Sequence, residues 1–223
     1  MAFVATACNR KSEALPLNSF STCPQNGQLF GQRYTNEFFC FTIDVPTNWA
    51  VYDRAALEKG IHREYPKPER HYSPVTGWIE IPHIEIYNLI TMSDAAETLT
   101  DGALTPTNAA LAISAMYQVH FEDEGRPYDG RLAIAMMAGA MEITQRPDDG
   151  DSKDMQQTGP SEAAIGGRGF YRDTVRLTKG GVPLIRRFYA RIDNEHSLVF
   201  SLLAPNDADL ERLEQILATT RFH

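Results

Sequence analysis

The chain has 223 residues, with 21 Lys plus Arg against 29 Asp plus Glu and a formal net charge of −8. Hydrophobic residues make up 43% and charged ones 22%, enough apolar surface to offset chain entropy, which excludes wholesale disorder. The acidic balance argues against wrapping duplex nucleic acid, and the longest mostly apolar run, 132–141, falls short of the roughly 20 residues of a spanning helix.

At roughly 150 residues per domain, one large domain is the simplest reading, and no internal repeat declares itself. We expect residues 1–30 to form a tail or tether and 31–223 the folded domain. The opening Ala5-Thr6-Ala7-Cys8 resembles the end of a bacterial lipoprotein signal, with Cys8 as the lipidated residue. There is no basic n-region and the apolar part is short. Two readings stay open: a chain that begins inside a longer signal, or a chance Ala-Thr-Ala-Cys in a frayed tail. The polar segment 9–28 reads as a tether.

Cys23 and Cys40 remain. An oxidising compartment would let them pair if their Cα atoms come within about 7 Å; otherwise they are two unrelated thiols, Cys40 a small buried hydrophobe. No Cys-x-x-Cys occurs, which argues against a zinc ribbon or a thioredoxin-type site.

In chain order, residues 38–45 alternate as a strand, with Phe39, Phe41, Ile43 and Val45 on one face, ended by Pro46. Asp53 is expected to cap a short helix through Lys59, stopped by Gly60. The proline-rich stretch 66–82 reads as a loop, 83–92 as a strand, and the polar residues up to Thr107 as a long loop. Residues 109–119 suit either an alanine-rich helix or a strand, and the alternation of Leu111, Ile113, Ala115 and Tyr117 favours the strand. A helix follows over 128–144, with Asp129 near its start and Pro147 beyond its end, then an acidic loop from Asp148.

The last sixty residues are the most legible. Segments 168–179 and 182–193 flank Gly180-Gly181, a strong hairpin signal because both turn residues need positive φ. Asn194-Glu195-His196 is a second tight connection into a strand over 197–203, apolar on both faces and therefore central. Asn206-Asp207 opens a helix to about Ala218 with Leu210, Leu213, Ile216 and Leu217 on one face, after which Phe222 packs back on the sheet. Antiparallel strands with helices before and after imply an α+β sandwich.

The segment Phe41-x-Ile43-x-Val45-Pro46-x-x-Trp49 resembles the opening strand and turn of the PsbP-like family. Ala164-Ile-Gly-Gly-Arg-Gly-Phe170 with its hairpin, and the leucine-rich helix ending Arg221-Phe222, resemble later parts of that family, so the resemblance spans about 34–222. It implies an antiparallel β-sheet flanked by α-helices, a PsbP-like α/β/α sandwich, and roles in binding other proteins. Members include an extrinsic photosystem II subunit, a nuclear import factor that binds a small GTPase, and bacterial envelope lipoproteins. With no plant- or eukaryote-specific feature, the bacterial envelope branch is the best match, which implies an extracytoplasmic place. No catalytic residues carry over.

Chemistry-bearing motifs are few. There is no His-Glu-x-x-His and no Gly-x-Ser-x-Gly. His62, His71 and His83 with Glu64, Glu69 and Glu80 read as a solvated loop before a metal site. Gly166-Gly167-Arg168-Gly169 lacks the Lys-Ser/Thr of a phosphate loop and reads as a tight turn. No cofactor is implied. The feature with most content is basic: a two-residue turn at 180–181 pairs Lys179 with Val182 and puts Arg172, Arg176, Arg187 and Arg191 on one face. Val175, Leu177, Leu184 and Phe188 then occupy the other face. The arginines read either as a docking surface for an acidic protein partner or anionic lipid head groups, or as residues paired with Glu80, Glu85 or the acidic loops. A second hypothesis is a small-molecule pocket beside the helix carrying Met136, Met137 and Met141, a stripe that otherwise reads as core.

Overall fold

The protein was analysed as a computed structural model, which describes residues 24, 27–53, 70–73, 77–80, 85–94, 108–117, 129–135, 137, 155–179 and 182–223. The first strands are β1 (Gly27–Phe30), β2 (Arg33–Asn36), β3 (Phe41–Asp44) and β4 (Ala50–Asp53). A short pair, β5 (Arg70–Ser73) and β6 (Gly77–Glu80), precedes the longer β7 (Glu85–Ser93) and β8 (Ala110–Tyr117). A helix over 130–135 and 137 is α1. Then come β9 (Gln156–Gln157), β10 (Ser161–Ile165), β11 (Arg168–Lys179), β12 (Val182–Asp193), β13 (His196–Ala204), α2 (Asp207–Leu217) and β14 (Arg221–Phe222).

The main sheet runs β10-β11-β12-β13-β8-β7-β4, every pair antiparallel, with β9 also on β11. All nine residues of β13 are buried, as its two apolar faces require of a central strand. A second sheet, β1-β2-β3-β14, lies over one face of the first. Phe41, Ile43 and Tyr34 from this sheet meet Leu198, Phe200, Leu202, Leu111 and Ile113 from the main one, with Leu210, Leu213 and Leu217 of α2 closing the same core. On the opposite face Ala133 and Ile134 of α1 pack on Val175, Phe188, Ala190 and Val199. The described layers are therefore sheet plus α2, main sheet, then α1. The expected helical flank on the first face is largely a four-stranded sheet.

Local chemistry explains where the sequence reading and the structure part. The strand expected from 38 begins at Phe41, because 37–40 is a turn in which the Asn36 Oδ1 accepts from the Phe39 amide at 3.0 Å and Cys40 takes φ +52°. The inward set Phe39, Phe41, Ile43 and Val45 is buried as its alternation demanded. Asp53 is the last residue of β4, and the helix expected after it falls on 54–60, which lie outside the described residues. The stretch read as a proline-rich loop holds the antiparallel pair β5 and β6, and its prolines Pro66, Pro68, Pro74 and Pro82 all fall outside the two paired strands in sequence, so none interrupts the ladder. Sheet structure is present from Gly27, and the Pro24 carbonyl accepts from the Asn36 side chain at 2.9 Å; residues 1–23 lie outside the described residues.

The 109–119 alternation does form a strand, β8. Lys179 pairs with Val182, and Asn194 and Glu195, at φ +48° and +64°, make the second tight turn. Asn206 caps α2 by accepting from the Asp209 amide, and Asp129 caps α1 by accepting from the amides of Arg131 and Leu132 at 3.0 Å. Gly166 and Gly167, at φ +54° and +78°, form the tight turn between β10 and β11. A Cβ on Gly166 would lie 2.8 Å from the Thr220 carbonyl oxygen, so both conformation and space demand glycine there.

Candidate functional site

The β11–β12 register places Arg172 opposite Tyr189, Thr174 opposite Arg187 and Arg176 opposite Ile185, so the four arginines do share one face. That face is also the one carrying Phe170, Ile185 and Tyr189 in the main core, with α2 lying beside it. Arg176 and Arg187 therefore rim α2, each paired with one of its carboxylates. Arg176 forks onto Asp207 with Nη2 to Oδ1 at 2.5 Å and Nη1 to Oδ2 at 3.3 Å. That guanidinium holds the exposed Asp207 carboxyl below its usual range.

Arg187 donates to the Thr174 hydroxyl at 2.8 Å and to Glu214 Oε1 at 2.7 Å. The same oxygen accepts from the Tyr189 hydroxyl at 2.5 Å. Burial, followed by the hydrogen bond and charge of Glu214, pushes the Tyr189 phenol up to about 12, against the opposing charges of Arg187 and Arg172. At the far end of the face Arg191 lies 3.3 Å from Asp193 Oδ2 without hydrogen-bond alignment, and stacks over the rings of Phe170 and Phe222 at 5.6 and 5.9 Å. Arg168 also lies over the Phe222 ring at 5.1 Å and sits 3.9 Å from Asp193. Among the described residues, the acids that answer three of these arginines are Asp207, Glu214 and Asp193; the side chains of Glu80 and Glu85 and the acidic loop 148–151 lie outside the described residues. Arg172 is half-buried and has no carboxylate partner among the described residues.

On the opposite face one arginine escaped the sequence reading. Arg186 lies opposite Val175 on β11 and Leu203 on β13, among apolar side chains. Its Nε donates to the Ser201 hydroxyl at 3.1 Å and its guanidinium stacks 5.0 Å from the Phe188 ring centre. Burial pulls it down to about 10. The same parity that gave Leu184 and Phe188 their face assigns Arg186 to it. On that face too, the fully buried Asp173 accepts from Gln157 at 2.5 Å, Thr158 at 3.0 Å and the Thr174 amide at 2.7 Å, tying 157–158 to β11.

Met137 of α1 packs partly buried on Ile134 and its cluster, while Met136 and Met141 lie outside the described residues. So do Cys8 and Cys23, as well as the side chains of His62, His71 and His83. Cys40 is disulfide-bonded. Among the described residues no group of three or more His, Cys, Asp or Glu could hold a metal ion, and no helix is long and apolar enough to cross a membrane.

No protein-family profile matches the chain, and no curated protein is similar to it in sequence. Among solved structures it is similar to the cyanobacterial PsbP of Synechocystis sp. PCC 6803, at 10% identity and a TM-score of 0.48 over 86% of this chain and 92% of that one. It is similar also to LpqN, a Mycobacterium tuberculosis protein involved in cell envelope biogenesis, at 12% identity and a TM-score of 0.39 over 81% and 82% of the two chains. A Pseudomonas aeruginosa protein of unknown function matches at 16% identity and a TM-score of 0.33, over 67% of this chain and 90% of that one.

Proposed function

We propose that the chain is a non-catalytic protein-binding or scaffold module of the bacterial cell envelope, which docks an acidic protein partner through Arg172. The observation that carries this is the unequal use of the four arginines: Arg176, Arg187 and Arg191 each lie against a carboxylate, whereas Arg172 has none among the described residues. It stands on β11 directly beside the exposed Ser161 of β10, near the outer edge of the main sheet. A half-exposed guanidinium with an open fork suits a carboxylate brought by another chain. A photo-crosslinking residue in place of Ser161 should give a discrete protein adduct in the host. Arg172→Glu should cut its yield about fivefold or more by placing like charges in contact. An adduct of unchanged yield would sink this docking site.

The envelope assignment rests on the disulfide at Cys40, a bond that persists in oxidising compartments. Cys23 is the partner this reading assigns. Its neighbour Pro24 is held by Asn36, whose side chain also shapes the 37–40 turn holding Cys40, which supports this pairing. Cys8 is then left for a lipid anchor. A tryptic map without reductant should recover peptide 12–33 joined to 34–54; a bridge from 1–10 to 34–54 would refute the pairing and the anchor together.

A further inference from the structure

The face of the main sheet that meets α1 divides into two apolar groups. One gathers Ala133 and Ile134 of α1 with Val175, Phe188, Ala190, Val199 and Met116, and the other gathers Ala110, Leu184 and Leu203. Between them, by register, stands Arg186 with Ser201 beside it. A cationic side chain set among aliphatic and aromatic neighbours loses hydration and ordinarily regains it from a carboxylate. Here none of the ion pairs among the described residues uses Arg186, and only its Nε is engaged, by a neutral hydroxyl. Asp173, the carboxylate on the same face two residues from Val175, has its oxygens committed to Gln157, Thr158 and the Thr174 amide. The residue is nevertheless only half-buried, so part of its surface still reaches solvent.

We propose that Arg186 is the anion seat of a small-molecule site on the α1 side of the sheet, taking a monocarboxylate with an apolar body. The terminal guanidinium nitrogens present a fork for the carboxylate, Phe188 backs the cation at 5.0 Å, and the apolar groups on either side receive the hydrocarbon. The arrangement is costly to an empty protein: desolvation that pulls Arg186 down to about 10 destabilises the charged form at neutral pH. A charged residue that costs stability and meets no carboxylate among the described residues is what a binding site, as opposed to a structural fixture, requires.

Octanoate and 1-octanol are the probes, titrated by calorimetry into the full chain. Octanoate should bind saturably and at least about tenfold more tightly than 1-octanol, since the neutral alcohol cannot use the guanidinium. Arg186→Met should lose octanoate by about tenfold or more while raising the thermal midpoint, because an apolar side chain relieves the desolvation. Arg186→Gln, which keeps a donor for Ser201 and removes the charge, should lose octanoate equally. The site is refuted by equal affinity for the two probes, by octanoate affinity in Arg186→Gln equal to that of the natural chain, or by a lowered thermal midpoint in Arg186→Met.

Discussion

Replacing Phe200 by alanine should lower the stability of the folded chain by about 3–5 kcal/mol, an expectation for a fully buried aromatic whose cavity cannot collapse. Phe200 is 0% exposed on the central strand β13. Its ring meets Phe41 of the covering sheet at 5.7 Å and 60°, and Phe170 of β11 at 5.7 Å and 73°, both edge-on. One side chain thus joins the two sheets and, within the main sheet, the strands on either side of β12, and aromatic pairs of this kind add about 0.5–1.5 kcal/mol each beyond the area they bury. For a chain of this size each 1 kcal/mol moves the thermal midpoint by about 2–4 °C, so the midpoint should fall by roughly 6–20 °C. Urea unfolding measures it directly. The control is Phe30→Ala at the tip of β1, where the ring is 68% exposed and the change should stay within about 0.5 kcal/mol. Comparable losses at the two positions would mean that the aromatic contacts between the sheets do not hold them together.

The same residues show how far the sequence could carry the fold. Between 168 and 217 it carried nearly all of it, because the determinants are local. The register follows from a two-residue connection at 180–181, the second turn from Asn194 and Glu195 accepting positive φ, and the helix from an Asn206 cap ahead of a leucine face. Between 66 and 82 it failed because a proline opposes a sheet ladder only from within it, and none of the four lies in the paired strands. The arginine face was legible as a face and illegible as a surface. Alternation puts Arg172, Arg176, Arg187 and Arg191 together, but their exposure depends on where α2 comes to rest. Asp207 and Glu214 are seven residues apart on that helix, two turns along one side, and that side falls on Arg176 and Arg187. No spacing in the sequence measures the gap between a strand and a helix thirty residues later. Arg186 was the reverse case: its parity with Leu184 and Phe188 is plain in the sequence, and it was hidden only because attention went to the face where arginines were numerous.

That network also sets how stability should change in alkali. Tyr189 is 3% exposed, and its phenol, ordinarily near 10.0, is pushed up to about 12 by burial first and Glu214 second. Below pH 10 the phenol is neutral in both folded and unfolded chains and its hydrogen bond to Glu214 is intact. Between about pH 10 and 12 the unfolded chain releases this proton while the folded chain keeps it, so unfolding becomes progressively easier, and above 12 that contribution is gone. A raise of about two pH units corresponds to about 2–3 kcal/mol. Arg186 acts in the same window with the opposite sign. Brought down to about 10 in the fold from 12.5, it is charged at a desolvation cost below pH 10 and is relieved of that cost above. The stability curve of the natural chain therefore mixes a falling and a rising component, and only the difference between it and Tyr189→Phe isolates the phenol. Urea midpoints at about pH 9 and about pH 12 should fall further in the natural chain than in Tyr189→Phe, by about 2–3 kcal/mol. At neutral pH the same variant should lose only about 1.5–3 kcal/mol, the worth of a hydrogen bond to a charged group, with Arg187 still holding Glu214 at 2.7 Å. An alkaline loss identical in the two proteins would mean that Glu214 does not hold the Tyr189 proton, and that α2 is fastened to the arginine face by Arg176 and Arg187 alone.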